Sequence, residues 1–225
     1  MRWHTLGARL KRVPRRLLAI ISPPVCWSCG AGAAPREPLC GRCDRALPWL
    51  GERQAGAPLD AQLDQLWTPL AFDGPARDLV HALKFRRAAG LAAAMAWHLL
   101  DGVPRDLLTP PTAIVPVPAS SWRRRARGYD HAEELASELG KASGRPVVAA
   151  LRRGGVATSH QRGLGRAERL SGSGLSVSAE PRAVPRCVVL VDDVCTTGAT
   201  LAACALALRA AGASSVSALV YTRAL

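Results

Sequence analysis

The sequence contains no apolar run near the roughly 20 residues that a membrane-spanning helix requires, so no transmembrane segment is expected. A secretory signal is not expected either. Residues 1–24, MRWHTLGARLKRVPRRLLAIISPP, combine basic and apolar residues, but the apolar part, residues 17–21, is too short and no small-residue cleavage site follows. Residues 1–22 instead read as a basic amphipathic helix, broken near Pro14 and ended by Pro23 and Pro24. Such a helix packs on its own protein or lies on a membrane surface. The expected location is cytoplasmic, where thiols stay reduced. Aromatic residues make up only 4% of the chain. Interleaved aromatic and basic side chains are what stack single-stranded nucleic acid, and Trp122 beside Arg123 is the one good candidate pair. Lysine is scarce as well, since 27 of the 30 basic residues are arginine. An Arg- and Ala-rich bias of this kind often reflects genome composition, so basicity alone says little about partners.

The distribution of charge says more. The net charge is +13, of which residues 1–53 carry +7 and residues 121–170 carry +6, while residues 54–120 carry −1 and residues 171–225 carry +1. Two basic regions flank a near-neutral body, which favours phosphorylated ligands or nucleic acid. A chain of 225 residues accommodates one sizeable domain and a small one.

The small one is marked by Cys26, Cys29, Cys40 and Cys43, spaced C-x2-C-x10-C-x2-C. Four thiolates at this spacing close a tetrahedron around zinc; disulfides or another metal are the alternatives. Four cysteine ligands leave no open coordination position, so the Zn²⁺ is expected to be structural. Gly30 and Gly41 each follow a cysteine, where a knuckle often requires positive φ. Trp27 and Trp49 are placed to pack against this ribbon, assigned to residues 23–50. A punctuated stretch over residues 48–58 follows, and a larger domain is assigned to residues 63–225.

The larger domain is organised around VVLVDDVCTTGATL, residues 188–201. Residues 188–191 are apolar and β-branched, as in a strand buried on both faces of a parallel sheet. Asp192 and Asp193 stand at the strand's end. Thr196, Thr197, Gly198, Ala199 and Thr200 then lead into a helix with Leu201, Ala205 and Leu208 on one face and Gly212 at its stop, and residues 214–221 read as the next strand. The first N–H groups of a helix lack partners and carry partial positive charge. Small residues let a phosphate approach them, and threonine hydroxyls add hydrogen bonds. Two carboxylates would repel a phosphate in direct contact, yet suit the hydroxyls of a sugar that carries it. The plainer alternative is an ordinary capping cluster.

Elsewhere, residues 63–72 predict one or two strands, and residues 76–85 and 90–100 predict helices, with Met95 and Trp97 expected in the core. Residues 113–117 predict a buried strand that runs into ASSWRRRARGYDH. There Arg123, Arg124, Arg125 and Arg127 crowd together before Asp130 caps a helix with Ala132, Leu135, Ala136 and Leu139 on its apolar face. Ligands of parallel sheets bind at the carboxyl ends of strands. If the two strands are neighbours, the arginine turn and the acidic turn face one site, where guanidinium groups would hold a pyrophosphate. Residues 147–151 predict another strand. The Gly-rich, basic stretch after it carries Arg162, Arg166 and Arg169, and reads as a lid over an anionic ligand or as a surface loop.

LVDDVCTTGAT resembles the 5-phosphoribosyl-1-pyrophosphate (PRPP) signature of type I phosphoribosyltransferases. That resemblance implies an α/β fold, a parallel sheet flanked by helices, with the acidic pair Asp192 and Asp193 on the ribose hydroxyls and Thr196, Thr197, Gly198, Ala199 and Thr200 on the 5-phosphate. Arg123 and Arg127 would then meet the pyrophosphate, bridged to the ribose by Mg²⁺. Cys195 sits at a position that is variable or apolar in that group and reads as a small buried hydrophobe. The order of motifs, a four-cysteine ribbon, LKF, VPVP, RRARGYDHAEELA, TSHQRGLGRAERL and LVDDVCTTGAT, is similar to the ComF family, phosphoribosyltransferase-like proteins associated with natural competence and DNA uptake. Many members have Phe-Asn-Gln where this chain has Tyr129, Asp130 and His131, and Asn near Ser171 or Ser173; if those side chains contact an acceptor, both departures bear on acceptor choice or activity. The implied function is phosphoribosyl transfer to an unidentified acceptor, in DNA uptake or nucleotide salvage. The alternative is a PRPP or nucleotide sensor whose ribbon and basic surfaces engage single-stranded DNA or an uptake protein.

Overall fold

A computed structural model describes residues 24–35, 37–56, 61–85, 90–109, 111–119, 129–154 and 176–225. Expectations for residues 1–22, Trp122, the cluster from Arg123 to Arg127, and Arg162, Arg166, Arg169, Ser171 and Ser173 lie outside the described residues.

Two short helices come first, α1 (Gly41–Arg45) and α2 (Glu52–Ala55). Strands β1 (Leu66–Trp67) and β2 (Leu70–Ala71) follow, then helices α3 (Gly74–Phe85) and α4 (Leu91–Leu100) and strand β3 (Ala113–Pro116). Helix α5 (His131–Ser143) leads to the antiparallel pair β4 (Leu151–Arg153) and β5 (Val177–Ala179). The chain closes with β6 (Cys187–Cys195), α6 (Ala199–Ala210) and β7 (Ser215–Arg223).

The main sheet is parallel. β6 lies between β3 and β7, with Pro116 opposite Val191 and Leu190 opposite Ala218; β1 and β2 both pair with β7. The apolar run of β6 alternates between two cores because both faces of the sheet are covered. Val189 and Val191, with Leu219 and Tyr221 of β7, pack against Leu79, Leu83, Met95, Leu99, Leu135 and Leu139 of α3, α4 and α5. Val188 and Leu190, with Val216, Ala218 and Val220, pack against Leu201, Cys204, Ala205 and Leu208 of α6. The α/β class and flanking helices expected from the sequence are therefore present.

Three local expectations are corrected. β6 does not stop at the acids: it runs through Asp192 and Asp193 to Cys195, because β7 keeps pairing with it as far as Arg223. Trp97 is not core. It is 64% exposed, because Leu91, Ala92, Met95, Ala96 and Leu99 form the buried stripe of α4 and Trp97 falls off it. Residues 147–151 are not one strand; Val147 makes an isolated parallel bridge to Ile114, and β4 starts only at Leu151.

The cysteine module is sewn onto this body. Leu39, Cys43 and Leu47 are buried in the same core as α3 and α4. Ser28 Oγ donates to Asp78 on α3 at 2.7 Å, Trp49 bridges Leu70, and Leu50 N–H donates to the Pro69 carbonyl at 2.8 Å.

Candidate functional site

Four thiols meet in the amino-terminal module. The Sγ atoms of Cys26, Cys29, Cys40 and Cys43 all lie within 4.8 Å of one another, and all four are free. Gly30 turns the first knuckle at φ 74°, closed by its N–H donating to the Cys26 carbonyl at 3.0 Å. The second knuckle is built differently. Cys40 is the N-cap of α1 and Cys43 lies inside it, so Gly41 is an ordinary helical residue, and the positive φ expected there is not needed. Cys29 and Cys40 sulfurs are 3.7 Å apart. A disulfide would place them about 2.05 Å apart, whereas a tetrahedron with Zn–S near 2.3 Å has an edge of about 3.8 Å. Burial pushes the Cys26 thiol up, but N–H groups of Cys29, Cys40 and Ser28 outweigh it and bring that thiol down to about 6. These residues fit a structural Zn²⁺.

The second constellation forms at the carboxyl end of the sheet. β3 and β6 are parallel neighbours, so Pro118 and Ala119 lie at the same edge as the acids of β6, and Val117 N–H donates to the Val191 carbonyl at 2.9 Å. Asp130 ties Ala119 to the start of α5. One carboxylate oxygen caps the helix by accepting from Ala132 N–H at 3.0 Å, and the other accepts from Ala119 N–H at 3.1 Å.

Alternation along β6 sends the two acids to opposite faces of the sheet. Asp193 turns inward under α3 and α5, with its side chain only 3% exposed. Lys84 Nζ stands 3.0 Å from its Oδ1, and His131 Nε2 stands 3.3 Å from its Oδ2. Asp192 is half-buried, and its Oδ1 accepts the Asp193 N–H at 2.8 Å. Removal from water, and then the charge of Asp193, hold the Asp192 carboxyl well above the usual carboxylate range.

Beyond the strand comes the bend. Thr196 and Thr197 are exposed, and Gly198 adopts φ 77°, a left-handed geometry that glycine takes without strain. Thr197 Oγ1 accepts from Ala199 N–H at 3.4 Å, and the first intrahelical bond of α6 runs from Ala202 N–H to the Gly198 carbonyl. The N–H groups of Thr200 and Leu201 thus open the helix facing outward along its axis. Cys195 is buried, as expected, and burial pushes its thiol up.

The structure thus gathers Asp192, Asp193 and residues 196–200 at one edge. It adds Lys84, which the sequence offered as a residue of a helix, and a positioned His131, which the sequence offered as a departure from a family pattern and, with Glu133 and Glu134, as a general base in range on paper only. Tyr129 belongs with them, since its hydroxyl donates to the Leu83 carbonyl beside Lys84. The signal for Lys84 was the helix itself: Leu79, Val80 and Leu83 bury one side of α3, and Lys84 borders it.

No family model matches the chain. The chain is 31% identical over 201 residues to the DNA utilization protein YhgH of Salmonella typhimurium, covering 85% of this chain and 81% of that one. It is 31% identical over 208 residues to the protein of the same name from Escherichia coli K12, again covering 85% and 81%. It is 28% identical over 191 residues to Competence protein F of Haemophilus influenzae, covering 80% and 82%. Among solved structures, the allosteric regulatory enzyme of purine biosynthesis aligns with a TM-score of 0.38 at 19% identity, over 63% of this chain and 30% of that one. Among the described residues, no helix is long and apolar enough to cross a membrane.

Proposed function

The chain belongs to the ComF family, and from that premise we propose that it is a phosphoribosyltransferase-like protein of DNA utilisation or competence that binds PRPP where β6 passes into α6. The observation that carries this reading is the left-handed Gly198 at the head of a 12-residue helix, with exposed Thr196 and Thr197 before it and half-buried Asp192 at its side. A 5-phosphate fits the N–H groups and hydroxyls of residues 196–200. The ribose hydroxyls then fall to the acidic pair, Asp192 foremost because it retains access to solvent.

The pyrophosphate of the ligand extends toward the turn after Pro118, where Arg123 and Arg127 are assigned from sequence to hold it. Mg²⁺, when bound with the ligand, neutralises pyrophosphate charge. It would take few ligands from the protein, drawn from His131, Asp192 and Asp193, whose candidate ligand atoms lie within 4.8 Å of one another. In the transfer, the bond from the anomeric carbon to pyrophosphate breaks and pyrophosphate leaves with the electron pair. A nitrogen of the acceptor bonds to that carbon and gives up its proton to the departing pyrophosphate or to water. The chain's part is positioning and electrostatic stabilisation of the cationic centre. Structural Zn²⁺ holds the amino-terminal module, and a cytoplasmic setting keeps its thiols reduced.

A second reading is a PRPP sensor or adaptor that meets single-stranded DNA or an uptake partner and catalyses nothing. One observation favours it: His131 directs Nε2 at Asp193, and so does not offer that nitrogen as a base. Calorimetry with PRPP and Mg²⁺, followed by a pyrophosphate assay across a panel of nitrogenous bases, separates the readings. Binding with pyrophosphate release supports the transferase, and binding without release with every base tried supports the sensor. No binding overturns both.

A further inference from the structure

The two aspartates of β6 are equivalent in the motif but not in the molecule. Asp193 is enclosed on three sides. Lys84 reaches its Oδ1 from the end of α3, and His131 lies by its Oδ2 from the first turn of α5. Its backbone carbonyl accepts the Thr222 hydroxyl from β7 at 2.9 Å. Its Oδ2 is fully buried and has no hydrogen bond, so the charge of Lys84 is what compensates it. The same junction is tied twice more, by Tyr129 to the Leu83 carbonyl and by Asp130 between Ala119 and Ala132. Asp192 leaves the strand toward the side that holds Cys195 and Cys204; its Oδ1 accepts the Asp193 N–H, and one of its carboxylate oxygens stays within 4.8 Å of one of Asp193 and of a ring nitrogen of His131.

We infer that Asp193 is chiefly a positioning residue: held by Lys84 with His131 alongside, it fixes α3 and α5 to the end of β6 and leaves Asp192 as the carboxylate of the pair that mainly meets the sugar. This rests on the PRPP reading only for the identity of the sugar. The clamp is a property of the chain alone. It also gives Lys84 a task. An ammonium 3.0 Å from a buried carboxylate offsets part of the repulsion that carboxylate exerts on the ligand-facing one, and a neutral residue at position 84 would leave an unpaired charge under the site.

The experiment compares Asp192→Asn, Asp193→Asn, Lys84→Met, Lys84→Arg and the Lys84→Met, Asp193→Asn double variant in the full chain. Three readouts are melting temperature, PRPP affinity well below melting, and the carboxyl carbon resonance of Asp192. Breaking a buried pair should lower the melting temperature of Asp193→Asn and of Lys84→Met by about 10 °C each, with the double variant falling little further than either. Lys84→Arg should restore both stability and the Asp192 resonance, which Lys84→Met displaces. Asp192→Asn should melt within about 2 °C of the parent, as expected for a site outside the core packing, yet bind PRPP at least about tenfold more weakly. Asp193→Asn that melts like the parent but loses PRPP binding as fully as Asp192→Asn overturns the inference. So do additive effects of Lys84→Met and Asp193→Asn. If the parent chain binds no PRPP, the functional reading fails, while the melting and resonance measurements still decide whether Asp193 is an anchor.

Discussion

Removing zinc should loosen the whole amino-terminal face, and the size of the effect can be worked from the packing. Cys26→Ser combined with Cys29→Ser leaves two thiols of the four. Structural zinc in small modules supplies on the order of 10 kcal/mol of folding free energy, comparable with the total stability of a domain, so the module should unfold without it. The body then loses its cover. Leu39 and Leu47, 2% and 6% exposed, leave the core they share with α3 and α4, at about 2 kcal/mol each. The Ser28 to Asp78 hydrogen bond goes with them, worth about 1 kcal/mol or somewhat more because its acceptor is charged. Together these come to about 5 kcal/mol, and at roughly 2–4 °C per kcal/mol the remaining fold should melt about 10–20 °C lower. Metal analysis of the parent protein should find one zinc per chain. A chelator should reproduce the variant's melting curve, and added zinc should reverse it in the parent only. A parent protein without zinc, or a melting temperature indifferent to chelation, would refute the reasoning.

Three smaller predictions follow from single residues. Gly198→Ala places a side chain at φ 77°, which costs about 1–2 kcal/mol and should lower the melting temperature by a few degrees while weakening PRPP binding, read by thermal scan and calorimetry. Partial burial raises the Asp64 carboxyl, but donors from Val216 N–H, Ser215 Oγ and Arg209 outweigh it and hold the group below its ordinary range. A carboxyl lowered on folding stabilises above pH ~4, the unfolded value, and that contribution is lost as pH falls through the folded value. Asp64→Asn should therefore cost about 1 kcal/mol at pH 7, limited by solvent screening, and flatten the acid limb of urea-melt stability. Trp97→Ala should change stability by no more than about 0.5 kcal/mol, since the ring is exposed; a loss of several kcal/mol would return Trp97 to the core.

The sequence carried most of what is periodic. Residues 188–191 announced a strand buried on both faces because the two cores divide them, Val188 and Leu190 to one and Val189 and Val191 to the other. Asp130 was legible as a cap because capping is local, one carboxylate and an N–H two residues on. Trp97 was misread because α4, LAAAMAWHLL, is apolar all round, so its outer face has no polar marker; only the angular position of the tryptophan reveals it. The far end of β6 was hidden because acids are poor strand formers, and pairing with β7 overrides that preference. The cysteine spacing pointed to a cluster, yet gave two similar knuckles where one is a glycine turn and the other a helix cap. Least legible was the difference between Asp192 and Asp193. Adjacent identical residues differ only in the face they take, and the partners that distinguish them, Lys84 and His131, are remote in the chain and brought together by α3 and α5 packing on one side of the sheet.

The central claim is that a phosphorylated sugar docks where β6 passes into α6. Backbone amide spectra of the zinc-loaded protein, titrated with PRPP and Mg²⁺, test it most directly. The account predicts saturable shifts concentrated at Thr196, Thr197, Gly198, Ala199, Thr200 and Leu201, with the Asp192 carboxyl moving alongside. Resonances there that stay fixed, while any that move lie in the cleft beside Asp64 and Asp106 at the opposite end of the strands, would contradict it.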